Sequence, residues 1–244
     1  MRFLKHGICL RLTESMRLYY LTACTWAEKI LRDQRFKLST FDEANDPFEL
    51  LAISMKNRHA RQIYKDVLYR HWKTHLAMLC TSTTWHSPVM WAHYGDKHRG
   101  VCIGFDTAEH VHVSQVTYRP DRLPGLLDSL GQRQLPTEEQ IMTVLTTKFQ
   151  DWEYEREWRI FAGGREREAD GKAYLDFQPG LTVREIILGA RCDASTRDFA
   201  DLVVDPAEPV EIFKARAAFD SFEIVRQNQV KPIVVKPAKQ FRHA

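Results

Sequence analysis

The sequence predicts an α+β fold: a single domain built on a split, mainly antiparallel sheet with flanking helices. Short β-favouring runs outnumber helical stretches along the whole chain. Helical periodicity falls in the first half and near the end. No internal repeat or low-complexity tract breaks the chain.

Leu18–Thr22 is aromatic and β-favouring and reads as the first strand. Trp26, Ile30 and Leu31 at helical spacing predict a short helix to Asp33, starting near Thr25. Phe36–Ser39 reads as a strand. Asp46 before Pro47 is biased away from the helical region, so residues 41–49 read as a turn or loop. Lys56–Leu76 is the clearest helix: Ala60, Ile63, Tyr64, Val67, Leu68, Trp72 and Leu76 form one apolar stripe. Its other face carries Lys56, Arg58, Arg61, Lys65, Arg70 and Lys73 against Asp66.

Strands are expected at Ala77–Thr83, Gly100–Asp106 and Val111–Tyr118. Prolines and glycines make residues 119–136 a candidate long loop or lid. Thr137 with Gln140 resembles a capping box. It opens a helix with Ile141, Val144, Leu145, Lys148 and Phe149 on one side. Further strands are expected at Trp158–Ala162, Tyr174–Phe177, Val183–Gly189, Val210–Lys214 and Phe222–Arg226, with a helix at Ala194–Leu202. Residues 1–15 read as a loose extension, 16–228 as the domain and 229–244 as a basic tail that frays or serves as an interaction arm.

The chain of 244 residues has 35 Lys+Arg against 32 Asp+Glu, a net charge of +3 that does not by itself imply nucleic-acid binding. With 44% hydrophobic and 27% charged residues, a disordered, collagen-like or coiled-coil chain is excluded. The five cysteines are widely spaced with no C-x-x-C pair. That argues against a disulfide scaffold or structural zinc and suits the cytoplasm. No apolar run reaches the roughly 18 residues a membrane span needs, so no membrane partner is expected.

Four segments hold chemistry-bearing residues. In Trp152–Phe161, an extended chain from about Tyr154 puts Tyr154, Trp158 and Ile160 on one face. Glu155, Glu157 and Arg159 then fall on the other. Paired carboxylates beside a sugar are a recurring way to break a glycosidic bond. The bland alternative is a solvated strand edge with both glutamates paired to Arg156 and Arg159. In Cys80–Trp85, the hydroxyls of Thr81, Ser82, Thr83 and Thr84 at a strand end are suited to orienting a carboxylate, or to a local turn. Met90–Asp106 holds His93, Tyr94, Asp96 and His98, and His93 and Tyr94 are expected to face a cleft. The five-residue histidine spacing is not diagnostic of a metal site, and none is assigned. Asn45–Glu49, N-D-P-F-E, fits either ligand contact or a self-capping turn. Walker A, G-x-G-x-x-G and H-E-x-x-H motifs do not occur in the sequence.

The ordered motifs L-Y-Y, N-D-P-F-E, C-T-S, M-W-A-H-Y-G-x-x-H-x-G-V-C-I-G-F-D and W-E-Y-E-R-E-W-R-I span about residues 17–190. In these the chain resembles a widespread bacterial family of unknown function, often found near phage-defence and abortive-infection genes. It also resembles ADP-ribosyltransferases, through Arg17, Thr81-Ser82-Thr83 and Glu155-Arg156-Glu157, with T-S-T in place of S-T-S. That resemblance implies NAD as substrate and a toxin or phage-defence role. Glu157 would hold the ribose and stabilise its positive charge, and Glu155 would ready the acceptor. Arg17, Tyr19, Tyr20, Ser82, Thr83, His93 and Tyr94 would bind NAD, with Ser82 positioning Glu157. The implied partners are a macromolecular acceptor, protein or nucleic acid, and a cognate antitoxin or toxin. Two rival readings are a non-catalytic binding protein using the basic helix and tail, and a metal-dependent hydrolase using Asp46, His93, Asp96 and His98.

Overall fold

The computed structural model describes residues 15–40, 43, 46, 48, 49, 51–69, 76–125, 136–163, 168 and 170–238. Its elements in the first half are β1 (Arg17–Thr22), α1 (Cys24–Asp33), β2 (Arg35–Thr40), α2 (Arg58–Ile63), β3 (Leu76–Ser82), α3 (Pro88–His93) and β4 (Val101–Thr107). There follow β5 (Val113–Gln115), β6 (Thr117–Arg119), α4 (Glu138–Leu145), β7 (Thr147–Phe149) and β8 (Glu157–Gly163). The last third holds β9 (Ala173–Asp176), β10 (Leu181–Leu188), α5 (Thr196–Ala200), β11 (Val210–Ala217), β12 (Ile224–Arg226) and β13 (Ile233–Val235). The fold is α+β, and its large sheet is mostly antiparallel, as expected.

That sheet runs β12-β11-β10-β4-β1-β3-β2-β9, with β8 on β3, β5 on β8 and β13 on β11. Among its described residues only β10 and β11 pair in parallel. β1 pairs along its whole length with β4, from Arg17↔Asp106 to Thr22↔Val101. Against β3 it is in register at Tyr19↔Ser82 alone. β3 instead gives its full length to β8, from Leu76↔Gly163 to Ser82↔Glu157. The sheet therefore splits between β1 and β3, and the candidate site lies in that split.

Both faces of the central strands are covered, so β4 reads as the continuous run V-C-I-G-F. Val101, Ile103 and Phe105 join Leu18, Ile30, Phe36 and Ile186 in the main core. Cys102 faces the other way, into a second core with Leu21, Trp85, Trp91, Ile187 and Phe213. A smaller cluster joins Ile53, Ala60, Leu76, Met142 and Leu145 beside the split. Each fully buried aliphatic or Phe side chain contributes about 1.5–3 kcal/mol on leaving water.

Gly100 marks the closest backbone approach at the start of β4. A Cβ there would lie 2.1 Å from the Thr22 carbonyl oxygen and 2.9 Å from that of Gly95. Backbone on both sides cannot yield as a side-chain tip does. Gly100→Ala is therefore expected to destabilise the chain by about 2 kcal/mol, measured as a lower urea midpoint at unchanged m-value.

Several elements differ from expectation for local reasons. The helix foreseen at Lys56–Leu76 begins at Arg58, where the Asn57 side chain accepts the Ala60 N–H at 2.6 Å. It widens into a π-helical turn at Tyr64–Tyr69, and Leu76 belongs to β3; Arg70, Trp72 and Lys73 lie outside the described residues. Arg61 donates to the carbonyls of Met55 and Lys56, so its charge also serves the local chain.

The Val111–Tyr118 run is two strands, because the chain changes partner at Val116: β5 pairs with β8, and β6 with β7. The capping box at Thr137 and Gln140 is present in both halves. The helix it opens stops at Leu145, where the Thr146 and Thr147 hydroxyls donate back to the Met142 and Thr143 carbonyls. Lys148 and Phe149 are thus on β7 rather than on the helix. Within the basic tail, Ile233–Val235 pairs with β11, and residues 239–244 lie outside the described residues. So do residues 1–14 of the N-terminal extension and 126–135 of the candidate lid. Among the described residues no helix is long and apolar enough to cross a membrane.

Candidate functional site

The chain from Gln150 to Glu155 is a 3-10 turn, not an extended strand. Arg156 follows in the left-handed region at φ 46°, and β8 begins at Glu157. The expected strand alternation therefore fails at Tyr154 and Glu155 and holds from Glu157 onward. Tyr154 packs toward the second core and Trp158 toward the main one, so they do not share a face. The two carboxylates nonetheless converge, because the reversal at Arg156 folds the end of the turn back beside the start of the strand. Their meeting point is Lys148 on β7. Its Nζ lies 2.6 Å from Glu155 Oε2 and 3.1 Å from Glu157 Oε2.

Neither glutamate is a solvated edge residue: each is 3% exposed. Arg159, two positions along β8, is fully buried. Its Nε donates to Glu157 Oε1 at 2.8 Å and its Nη2 to Glu157 Oε2 at 3.0 Å. Its Nη1 donates to the Leu145 carbonyl at 2.7 Å. Glu49 of the N-D-P-F-E segment closes the cluster, 2.7 Å from Arg159 Nη2 and 3.6 Å from Lys148 Nζ. The self-capping reading of that segment is seen in Asp46, whose Oδ1 accepts the Phe48 N–H at 2.8 Å. Three carboxylates thus share two cations in a buried setting, where leaving any one unpaired is costly.

The environments drive the two glutamates apart. Burial pushes the Glu157 carboxyl up, but Arg159 and Lys148 together outweigh it and hold it well below the ordinary carboxylate range. Burial also pushes Glu155 up, and the neighbouring Glu157 charge adds to it. Lys148 and the Tyr94 hydroxyl pull the other way without cancelling the rise. Tyr94 donates to Glu155 Oε1 at 2.5 Å; burial and then the Glu155 charge raise its phenol. Lys148 keeps its proton firmly, because the pull of Glu157, Glu49 and Glu155 exceeds the penalty of burial.

The cluster forms one wall of a cavity of about 530 Å³, within the range of small-ligand sites. Tyr19, Tyr20, Tyr94 and Trp152 are among its aromatic lining, and His93, Lys37, Asp46 and Glu49 also line it. His93 Nδ1 bonds the Tyr154 hydroxyl at 2.9 Å, and its ring meets Trp152 edge to face. Lys148 Nζ sits 5.0 Å from the Trp152 ring centroid.

Of the residues singled out in the sequence, Glu155, Glu157, Tyr19, Tyr20, His93 and Tyr94 line this cavity together. Arg17, Ser82 and Thr83 do not. Arg17 is held by Asp106 at 2.5 Å and Glu185 at 3.4 Å. Ser82 is buried opposite Glu157 in the β3–β8 register, but its Oγ accepts the Thr84 N–H at 3.2 Å. Thr83 opens onto a separate groove with Tyr118, Tyr154, Arg156 and Trp158. No group of three or more His, Cys, Asp or Glu side chains is placed to hold a metal ion among the described residues. Sequence reasoning missed Lys148, whose lone positive charge before D-W-E-Y-E carries no periodic signal, and left the role of Glu49 open.

No curated protein and no solved structure matches the chain. The conserved-domain comparison does: the span that supplies His93, Tyr94, Lys148, Glu155, Glu157 and Arg159, residues 90–160, matches the model of the family described as protein of unknown function, DUF2971.

Proposed function

We propose that this cavity is the active site of an enzyme that breaks a bond at the anomeric carbon of a ribose, with NAD as the substrate and ADP-ribosyl transfer as the reaction. The observation that carries the reading is the pair Glu155 and Glu157, buried on one cavity wall, sharing Lys148, with proton affinities driven apart. A pair so divided suits one group to proton transfer and the other to fixed charge. The aromatic lining and the cavity size fit a ring-bearing ligand of nucleotide type.

In this reading the glycosidic bond breaks with its electron pair leaving on nicotinamide, and positive charge builds on the ribose. Glu157, whose carboxyl Arg159 and Lys148 hold below its ordinary range, provides negative charge at that wall and keeps Lys148 in place. Glu155 takes the proton of the incoming nucleophile. The acceptor is a protein or nucleic acid, and the protein acts as a toxin or phage-defence factor restrained by a cognate partner. A cytoplasmic setting agrees with the free thiols of Cys24, Cys80, Cys102 and Cys192.

The test is to incubate the full chain with nicotinamide-labelled NAD, with and without protein and nucleic-acid acceptors. Released nicotinamide is expected in a time- and enzyme-dependent manner. No release with any acceptor, together with no heat of NAD binding in calorimetry, removes the reading.

A further inference from the structure

The N-D-P-F-E segment has no part in the reaction as described, yet it delivers Glu49 into the buried cluster. Lys148 Nζ is contested by three carboxylates: Glu155 at 2.6 Å, Glu157 at 3.1 Å and Glu49 at 3.6 Å. Arg159 is taken up by Glu157 and Glu49, which leaves Lys148 as the cation that Glu155 binds. The balance of charge on Glu155 is therefore set by how much of Lys148 the other two claim.

We propose that Glu49 is a positioning residue for Glu155: by drawing on Lys148 and adding its own negative charge to the wall, it keeps Glu155 able to accept a proton during the reaction. This rests on the active-site reading for its purpose but not for its electrostatics. Every charged or titratable group facing Glu155 enters the balance. Tyr94 at the C-terminal cap of α3, Lys148 on β7 and Glu157 on β8 act on it directly. Tyr154 of the turn and Tyr118 of β6 lie within its field, with Arg159 behind Glu157. Tyr94 and Lys148 favour the ionised form of Glu155, and Glu157 opposes it. Glu49 acts in the same sense as Glu157, both through space and by its hold on Lys148. Removing its charge leaves Lys148 more fully to Glu155 and lowers the proton affinity of that carboxyl.

The test is a carbon-13 carboxyl NMR titration of Glu155 in the full chain, beside the pH profile of NAD cleavage. In Glu49→Gln the Glu155 midpoint is expected to fall by about 1 pH unit, and the acid limb of the rate profile to move with it. Glu49→Met supplies a second uncharged side chain of similar volume should the glutamine variant not fold. Glu49→Asp keeps the charge and should restore a midpoint near that of the wild type. Ile53→Ala loosens the same stretch, since Ile53 is fully buried in the neighbouring cluster, and should leave the midpoint in place. An unmoved midpoint in both uncharged variants, or an equal shift in Ile53→Ala, overturns the proposal. If the midpoint moves as expected while no variant or wild-type protein cleaves NAD, the positioning role stands and the proposed reaction falls.

Discussion

Arg159→Met is expected to cost about 3–5 kcal/mol, the usual penalty for removing one partner of a buried ionic cluster. The methionine fills much of the volume, so the loss is chiefly electrostatic. Glu157 loses both bonds from Nε and Nη2, Glu49 loses its nearest cation, and the Leu145 carbonyl loses its donor. Adding Glu157→Gln removes one of the stranded charges and should recover part of the stability, which a double-mutant cycle in urea would measure.

The effect also has a pH signature. In the wild type the Glu157 carboxyl lies below its unfolded value. Its contribution is therefore fully present above the ordinary carboxylate range and is lost as pH falls through the folded value. Without Arg159, the strongest of the groups that oppose burial is gone, and the folded value is expected to rise above the unfolded one. The carboxyl then favours the fold only when protonated, and that contribution is lost as pH rises. The stability gap between wild type and Arg159→Met should narrow from neutral toward pH 4. A gap that stays constant would mean that lost packing, not an unpaired carboxylate, is what destabilises the variant.

The sheet was legible in the sequence because its strands are short, β-favouring and bounded by turn residues, as at Leu18–Thr22 and Gly100–Asp106. Elements that depend on partners not adjacent in sequence were harder to read. Val116 sits inside a run that alternates like one strand, and only its bond to the Glu157 carbonyl reveals the change of partner. Leu76 continues the helical stripe in spacing, yet pairing with Gly163 draws it into β3. In the site, alternation placed Glu157 and Arg159 on one face correctly, since both lie on β8. It failed for Glu155, because nothing local announces that Arg156 is left-handed. Lys148 and Glu49 reach the cluster from β7 and from a loop more than a hundred residues before β8. Their meeting is a property of the split sheet and leaves no mark in spacing.

Glu155→Gln is expected to lower the rate of ADP-ribosyl transfer by about 100-fold or more, the usual loss when a positioned proton-transfer group is removed. The substitution keeps the shape and leaves Lys148 bound to Glu157 and Glu49, so the folded state should persist, checked by an unchanged circular dichroism spectrum. In its proposed role as proton acceptor, Glu155 works only when ionised. The wild-type rate should therefore rise with pH through its carboxyl pKa, which burial raises from its ordinary value. That limb should vanish in Glu155→Gln, leaving a low rate without the inflection. Hydrolysis of NAD by water should suffer less than transfer to an acceptor, because the proposed role of Glu155 is to ready the nucleophile. Glu157→Gln is a less clean probe, since it leaves Arg159 half paired and lowers stability together with rate. A glutamine at 155 that transfers at the wild-type rate with the same pH profile would leave Glu155 as a structural partner of Lys148 and Tyr94. Proton transfer would then have to be sought elsewhere on the cavity wall, with His93 and Asp46 the next residues to replace.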